Sequence, residues 1–189
     1  MRKLVLLMHV SLDGYVAGPN GEMDWINADE DLFDLVGEFT NEADAVLYGR
    51  KTFQMMEQYW PTAGDQPDAS KHAREHTAWY KSVEKFVASG TMNAGVFSNT
   101  TFFAKNIPAE IRRIKEMPGK KILMIGSPST VHALLPHKLI DEYRLMLNPV
   151  ILGAGIPLFT KVEHRSMLNR EGTIPFASGV VGLHYSVKS

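Results

Sequence analysis

The sequence predicts an α/β protein built on a mixed sheet, parallel at its centre and antiparallel at one edge. Three observations predict it. Short, nearly continuous apolar runs recur along the chain, as strands do when both of their faces are covered. Helical stretches connect four of these runs, which is the arrangement that parallel pairing needs. The last two strand candidates have no helix between them and should pair antiparallel. With 189 residues the chain suits one domain, 1–189, with a sizeable core, and is too short for two ordinary ones.

Leu4 to Val10 reads as the first, central strand. It runs into SLDGYVAGPNGEMDWI, where Gly14, Gly18, Pro19, Asn20 and Gly21 supply turn chemistry around Tyr15, Met23 and Trp25. Large apolar side chains gain nothing in water, so this loop is expected to cover something. From about Asp29 to Glu42, Leu32, Phe33, Leu35, Val36 and Phe39 recur at helical spacing, with acidic residues at the start where the free amides of a helix favour them. Ala43 to Tyr48 reads as a second strand, followed by Gly49-Arg50-Lys51-Thr52 and a helix from Phe53 to Tyr59. Pro61 to Ser70 reads as a surface excursion, Lys71 to Lys81 as a helix, Lys85 to Ala88 as a third strand and Thr101 to Phe103 as a short one. Pro108 to Met117 follows as a helix with Ile111 and Ile114 inward, then Lys121 to Ile125 as a strand. Ser127 is placed to cap a helix beginning at Pro128, with Val131, Leu134 and Leu135 on its buried side. Glu142 to Leu147 reads as a strand interrupted at Asn148-Pro149 and resuming at Val150 to Leu152; the final pair spans about Glu163 to Glu171 and Gly179 to Val187.

Composition narrows the function. Hydrophobic residues make up 44% and charged residues 22%, a globular balance, and 20 basic against 21 acidic side chains leave a net charge of -1. Such a chain has no net field for a polyanion, so nucleic acid is not an expected partner. The absence of cysteine excludes disulfides, thiolate nucleophiles, iron–sulfur clusters and Cys-based zinc sites. The apolar run near the N-terminus lacks the length of a membrane span and a small-residue cleavage site, so no membrane association and a cytoplasmic location are expected.

Neither a Gly-x-Gly-x-x-Gly dinucleotide fingerprint after the first strand nor a Walker phosphate loop is present; Gly153 and Gly155 read as turn residues. No Gly-x-Ser-x-Gly elbow supports a hydrolase. His72 and His76 are four residues apart, but without a Glu after the first they read as surface histidines, and no metal is expected. Two phosphate-sized sites remain. At Gly49 to Thr52 a helix start adds a guanidinium, an ammonium and a hydroxyl to free amides. At Gly126 to Thr130, Ser127, Ser129 and Thr130 offer hydroxyls without charge, which suits a diphosphate bridge. Both follow strands of a parallel sheet, where such sheets bind ligands, so a nucleotide cofactor is expected. Among the acids Asp13, Asp24, Asp29, Glu30, Asp31 and Asp34, Asp29 and Glu30 fit helix capping, and Asp31 is the candidate carboxylate facing the pocket. Trp25 and Phe33 have the flat faces that sandwich a ring.

Four stretches, SLDGYVAGPNGEMDW (11–25), VLYGRKTF (46–53), ILMIGSPSTVHALL (122–135) and IDEYRLMLNPVILGAGIPLF (140–159), resemble the dihydrofolate-reductase-like superfamily over essentially the whole chain. The nearest branch is the bacterial one related to the reductase domain of the bifunctional riboflavin-biosynthesis deaminase/reductase. The resemblance implies a three-layer αβα fold with an eight-stranded, mostly parallel sheet and an antiparallel C-terminal hairpin. It also implies NADPH and reduction of a C=N or C=O bond in a small heterocyclic, pterin- or pyrimidine-like substrate. By motif position, Ala17 and Gly18 match the backbone beside the nicotinamide, Met23 the covering loop, and Trp25 the tryptophan near the substrate. Gly49, Arg50, Lys51 and Thr52 match a Gly-Arg-x-Thr motif in which the arginine meets the adenosine 2′-phosphate and the next two residues the diphosphate; Ser89 matches a further 2′-phosphate position. Gly126-Ser127-Pro128 stands where the family has a paired or triple glycine, and Asp31 best matches the folate-type acid.

Two other functions fit the same residues. One is a riboflavin-pathway reductase acting on a phosphorylated ribosylaminopyrimidine, for which Lys161, Arg165 and Arg170 are candidate phosphate ligands; a fused zinc-bearing deaminase domain is not expected. The other is a noncatalytic nucleotide-binding protein that keeps the fold. Members of this branch are often homodimers, and Phe159, Ile174 and Phe176 are candidate interface residues.

Overall fold

The computed structural model describes residues 1–92, 94–160, 162 and 165–188. In chain order the elements are β1 (Leu4–Ser11), β2 (Tyr15–Ala17), α1 (Glu30–Asn41), β3 (Ala43–Gly49), α2 (Arg50–Ala63), α3 (Lys71–Ser82), β4 (Glu84–Ala88), β5 (Thr100–Phe103) and α4 (Ile107–Glu116). They continue with β6 (Lys121–Ile125), α5 (Pro128–Leu134), β7 (Glu142–Asn148), β8 (Ile156–Pro157), β9 (Leu168–Pro175) and β10 (Val181–Val187).

The apolar run at the start of the chain lies inside the sheet because β1 is paired on both edges, parallel to β6 and to β7. The full order is β5-β4-β3-β6-β1-β7-β10-β9. β10 runs antiparallel to β7 and to β9, so the mixed sheet and its C-terminal hairpin are as the sequence predicts. Strand alternation divides β1 between two cores. Val5 and Leu7 pack with Leu32 of α1, Phe53 of α2 and Tyr80 of α3 on one face. Leu4, Leu6 and Val10 pack with Ile111 and Ile114 of α4 and Val131 and Leu134 of α5 on the other. The result is a three-layer αβα fold.

Local chemistry sets the helix ends. The Asp29 carboxylate accepts from the Leu32 amide at 3.0 Å, and Ser70 Oγ accepts from the Ala73 amide at 3.1 Å, each satisfying a free first-turn donor. Ser127 stands at the N-cap of α5 but makes no side-chain cap bond, contrary to expectation, because its hydroxyl pairs with Ser129 Oγ at 2.8 Å. α2 also runs past the predicted stop, carrying Pro61 inside it. The Thr77 hydroxyl makes this possible: it donates to the Trp60 carbonyl at 2.9 Å and accepts from the Gly64 amide at 2.8 Å, bridging the end of α2 to α3.

The tail differs from the sequence reading in two places. Val150 to Leu152 is not a strand, because the Leu152 and Gly153 amides are drawn onto the Asp13 carboxylate at 3.1 and 2.7 Å. Strand structure resumes at β8, which pairs antiparallel with β2 in the glycine-rich loop. β9 begins five residues later than expected, at Leu168; Glu163 and His164 lie outside the described residues. Of the candidate interface residues, Phe159 and Ile174 are exposed while Phe176 packs against the core.

One buried ion pair ties α4 to the sheet. Lys115 Nζ lies 2.6 Å from Asp141 Oδ2 and donates to the Leu139 carbonyl at 3.0 Å, and the same carboxylate accepts from the Leu4 amide at 2.7 Å. The lysine side chain is 3% exposed and the aspartate 32%, so the two partners are not equivalent. Asp141→Ala strands a buried ammonium and should cost about 3–5 kcal/mol. Lys115→Met leaves a carboxylate that keeps water and the Leu4 amide, and should cost distinctly less; urea unfolding of the two variants checks the asymmetry.

Candidate active site

Parallel pairing brings the carboxyl ends of β1, β3 and β6 to one edge of the sheet, where a cleft of ≈ 930 Å³ opens. Its floor is Leu7, Met8 and His9 of β1 with Ile125 at the end of β6 and Gly126 to Pro128 beyond it. α1 gives one wall through Leu32, Phe33 and Val36, α2 another through Lys51, Thr52, Met55, Met56 and Trp60, and α3 closes the end with His72 and His76. The glycine-rich loop forms the roof with Val16, Ala17, Pro19, Asn20, Gly21 and Met23.

The two strand-to-helix junctions meet at this cleft. Gly49 is the N-cap of α2 and has no side chain to cap it, so the first-turn amides of a fourteen-residue helix stay free. A Cβ on Gly49 would lie 2.1 Å from Ser127 Oγ and 2.9 Å from Thr130 Oγ1; one on Gly126, whose φ is +58°, would lie 2.8 Å from Thr52 Oγ1. Glycine at both positions is what lets the junctions interlock. Lys51, Thr52, Gly126 and Ser127 all line the cleft. Arg50 is exposed at the start of α2, with its guanidinium 3.5 Å from Gln54 Oε1. Ser89 follows Ala88, the β4 partner of Gly49, and so leaves the sheet at the same edge as Arg50; its Oγ accepts from the Thr91 and Met92 amides at 3.3 and 3.2 Å. Ser129 is exposed beside Ser127, and Thr130 is buried.

The remaining expected residues divide. Ala17, Met23 and Phe33 are on the cleft wall. Gly18 and Trp25 lie beside it, with the Trp25 indole donating to the Glu22 carbonyl at 3.1 Å within the loop itself. Asp31 is exposed on the first turn of α1 and is not on the wall, because the inward position of that turn belongs to Leu32. Arg165 and Arg170 do not line the cleft, and Lys161 lies outside the described residues.

The histidines correct the sequence reading. His76 is not a surface residue but 5% exposed, packed on Trp60 with ring centroids 3.9 Å apart and planes 35° from parallel, and neither ring nitrogen has a partner among the described residues. His72 stacks on Phe33 at 4.7 Å. Burial pushes His76 down to about 3, and the nearby His72 pushes the same way; burial also lowers His72. His9, which drew no attention in the sequence, stands in the floor, and burial lowers it to about 4. A ring at an inward position of an otherwise apolar strand was the available signal. Among the described residues no group of three or more metal-binding side chains is present.

The comparisons agree with this fold. The family described as RibD C-terminal domain matches residues 2–181. The chain belongs to that family. It is 39% identical over 184 residues to the uncharacterized protein YyaP of Bacillus subtilis, covering 97% of this chain and 94% of YyaP. Its fold is similar to that of a putative riboflavin biosynthesis protein from Shewanella sp. PV-4, at TM-score 0.70 and 23% identity, with 99% of each chain covered. It is also similar to a Thermotoga maritima diaminohydroxyphosphoribosylaminopyrimidine deaminase/5-amino-6-(5-phosphoribosylamino)uracil reductase, at TM-score 0.68 and 16% identity, covering 99% of this chain and 57% of that one. The αβα frame is thus that of the dihydrofolate-reductase-like superfamily. Among the described residues no helix is long and apolar enough to cross a membrane.

Neutral burial of the cleft histidines links stability to pH. Their folded values lie below the ordinary one near 6.5, so the unfolded chain binds protons more readily. The stability they confer is complete above about pH 6.5 and drains as pH falls toward the folded values. Between pH 6.5 and 5, urea unfolding should report a loss of at most about 1.4 kcal/mol per pH unit for each histidine. His76→Phe should flatten that slope.

Proposed function

We propose that this protein is an NADPH-dependent reductase that acts on a C=N or C=O bond of a small planar heterocycle. The observation that carries the reading is the meeting of two strand-to-helix junctions on one roofed cleft. The residues present fit the cofactor. Free amides of α2 with Arg50, Lys51 and Thr52 suit phosphate, the uncharged hydroxyls of Ser127, Ser129 and Thr130 suit the diphosphate bridge, and Ser89 adds a hydroxyl near Arg50. Ser127 and Ser129 already pair with each other, which uses one of their two hydroxyl hydrogens and leaves the other to donate to a phosphate oxygen. A reduced nicotinamide would supply the hydride. The chain's own part is to hold two rings face to face beneath the roof loop, through Ala17, Gly18 and Met23, and to keep water out. Phe33, with Trp25 nearby, supplies flat apolar surface for the substrate. Asp31 is too exposed to serve as a proton donor from within the cleft.

Kinship favours a riboflavin-type pyrimidine substrate over a folate-type one. The family is that of the RibD C-terminal domain, and the Thermotoga protein's name joins a deaminase to a uracil reductase, of which this chain matches 57%. Within the cleft, Lys51 is the one cation among the described lining residues. A phosphoribosyl substrate would therefore have to share that end of the cleft with the cofactor. A homodimer is part of the proposal, with exposed Phe159 and Ile174 at its interface.

Arg50→Ala should weaken NADPH at least about tenfold, the worth of a charge-assisted contact, and NADH less than about twofold. Fluorescence titration of both cofactors measures the difference; equal weakening would remove Arg50 from the 2′-phosphate. NADPH oxidation with phosphorylated and unphosphorylated ribosylaminopyrimidines should reveal turnover of one of them. Tight NADPH binding with no oxidation by either, or by pterins, would make the protein a noncatalytic nucleotide binder.

A further inference from the structure

We propose that His9 is a hydrogen-bond donor of the cleft, with Asn148 as the residue that positions its proton, and that its ligand is an acceptor atom on a bound planar ring. His9 is on the same face of β1 as Val5 and Leu7, toward α1 and α2, and lines the floor of the cleft. One of its ring nitrogens, Nδ1, lies 3.3 Å from Asn148 Nδ2. No partner among the described residues is bound to the other, Nε2.

The tautomer follows from the Asn148 amide. Asn148 is fully buried, and its Oδ1 accepts from the Asn27 backbone amide at 3.0 Å while its Nδ2 donates to the Met146 carbonyl at 2.8 Å. Reversing the amide would set an NH₂ against an N–H and an oxygen against a carbonyl, losing both bonds, so the orientation is fixed. The remaining Nδ2 hydrogen therefore points to His9 Nδ1, which must accept. A neutral imidazole accepting at Nδ1 carries its hydrogen on Nε2. Burial keeps the ring neutral near pH 7, and the other titratable groups on the cleft wall, Lys51 on α2 and His72 and His76 on α3, supply no negative charge to draw a second proton onto it.

The ligand chemistry is thus a carbonyl oxygen or unprotonated ring nitrogen. In a heterocycle undergoing reduction that atom is the heteroatom of the C=O or C=N bond, where negative charge develops. A cofactor carboxamide presents the same chemistry. The inference rests on the reductase reading given above, and it adds a residue to which neither composition nor the family motifs pointed.

Long-range ¹H–¹⁵N correlation spectra of the whole protein test it, first without ligand, then with NADPH, then with NADPH and pteridine-2,4-dione. The expected result is a neutral Nε2–H tautomer for His9 from pH 8 to 5.5. Asn148→Ala should turn it into a tautomer mixture. A Nε2 shift on adding pteridine-2,4-dione assigns the donor to the substrate ring; a shift with NADPH alone assigns it to the carboxamide. His9→Phe keeps the ring's bulk and should weaken the ligand so identified by about tenfold, with His9→Gln, which retains an amide N–H near the Nε2 position, restoring most of it. A Nδ1–H tautomer, or no Nε2 response to either ligand, overturns the inference while leaving the Arg50 test of NADPH intact. Failure of NADPH to bind overturns the reductase reading while the tautomer stands or falls on its own spectrum.

Discussion

The cleft depends on parallel pairing of β3, β6 and β1, since parallel neighbours end at the same edge and antiparallel ones do not. In the β3–β6 register Leu47 faces Met124, so two residues further on the chains reach Gly49 and Gly126 side by side. Both helices then begin within a few ångströms of each other, and any side chain at either glycine would meet the opposing hydroxyls of Ser127 or Thr52. Substitution there would push the two helix starts apart, and the small gap between them is what allows one phosphorylated ligand to touch both. Sheet register, set by hydrophobic strands far from any chemistry, therefore fixes the geometry of the polar end of the site.

The roof is held by a different device. Asp13, at the tip of the turn after β1, accepts from Ser11 Oγ at 2.7 Å and from the Leu152 and Gly153 amides, so one carboxylate ties the roof's root to the segment after β7. These bonds hold its carboxyl below the usual range, the Ser11 hydroxyl foremost. The Leu158 amide donates to the Gly14 carbonyl at 2.9 Å, and a Cβ on Gly155 would lie 2.3 Å from the Ala17 carbonyl, so backbone packs on backbone. Beyond Ala17 the loop closes on itself: the Gly18 amide donates to Glu22 and the Gly21 amide to Gly18. A rigid root and a self-contained tip are what a covering segment needs if it is to move as a unit over bound rings.

Elements with strong periodicity were legible in the sequence, and residues whose role depends on a distant neighbour were not. The apolar run at residues 4–10 could be read as a central strand because burial on both faces leaves no polar alternation. The motif at 140–159 could be recognised as distinctive, but its purpose, clasping the roof through Asp13 and Gly155, arises from contacts about 140 residues apart in the chain. Val150 to Leu152 is β-branched and apolar enough to read as strand, yet the Val150 amide donates to the Asn148 carbonyl and the Leu152 amide to the Asp13 carboxylate rather than to a ladder. His76 looked like a surface histidine because α3 is mostly polar; the packing of α3 on α2 turns it inward beside Thr77 and Tyr80, with its ring against Trp60. Asp31 reads as the inward acid because Asp29 and Glu30 already account for capping, and a rotation of one position separates it from Leu32.

The cleft is polar at one end and aromatic at the other, and α2 spans both. Lys51 and Thr52 are in its first turn, Met55 and Met56 one turn on, and Trp60 a turn further. At 1.5 Å per residue the nine steps from Lys51 to Trp60 cover roughly 13 Å, which separates a phosphate from a ring system at the far end. Charge at the first end is compensated by exposure, since Arg50 and Lys51 keep contact with water. The other end has Phe33, His72, Trp60 and His76 in mutual contact, Phe33 stacked on His72 and Trp60 edge-on to it, with imidazoles that burial keeps uncharged. A neutral wall of that kind favours flat, weakly hydrated ligands and penalises an ion, because no countercharge there offsets the loss of its hydration. On the β1 side of the floor His9 adds a hydrogen-bonding group that burial keeps neutral, so the floor offers a ring a polar contact without adding a charge.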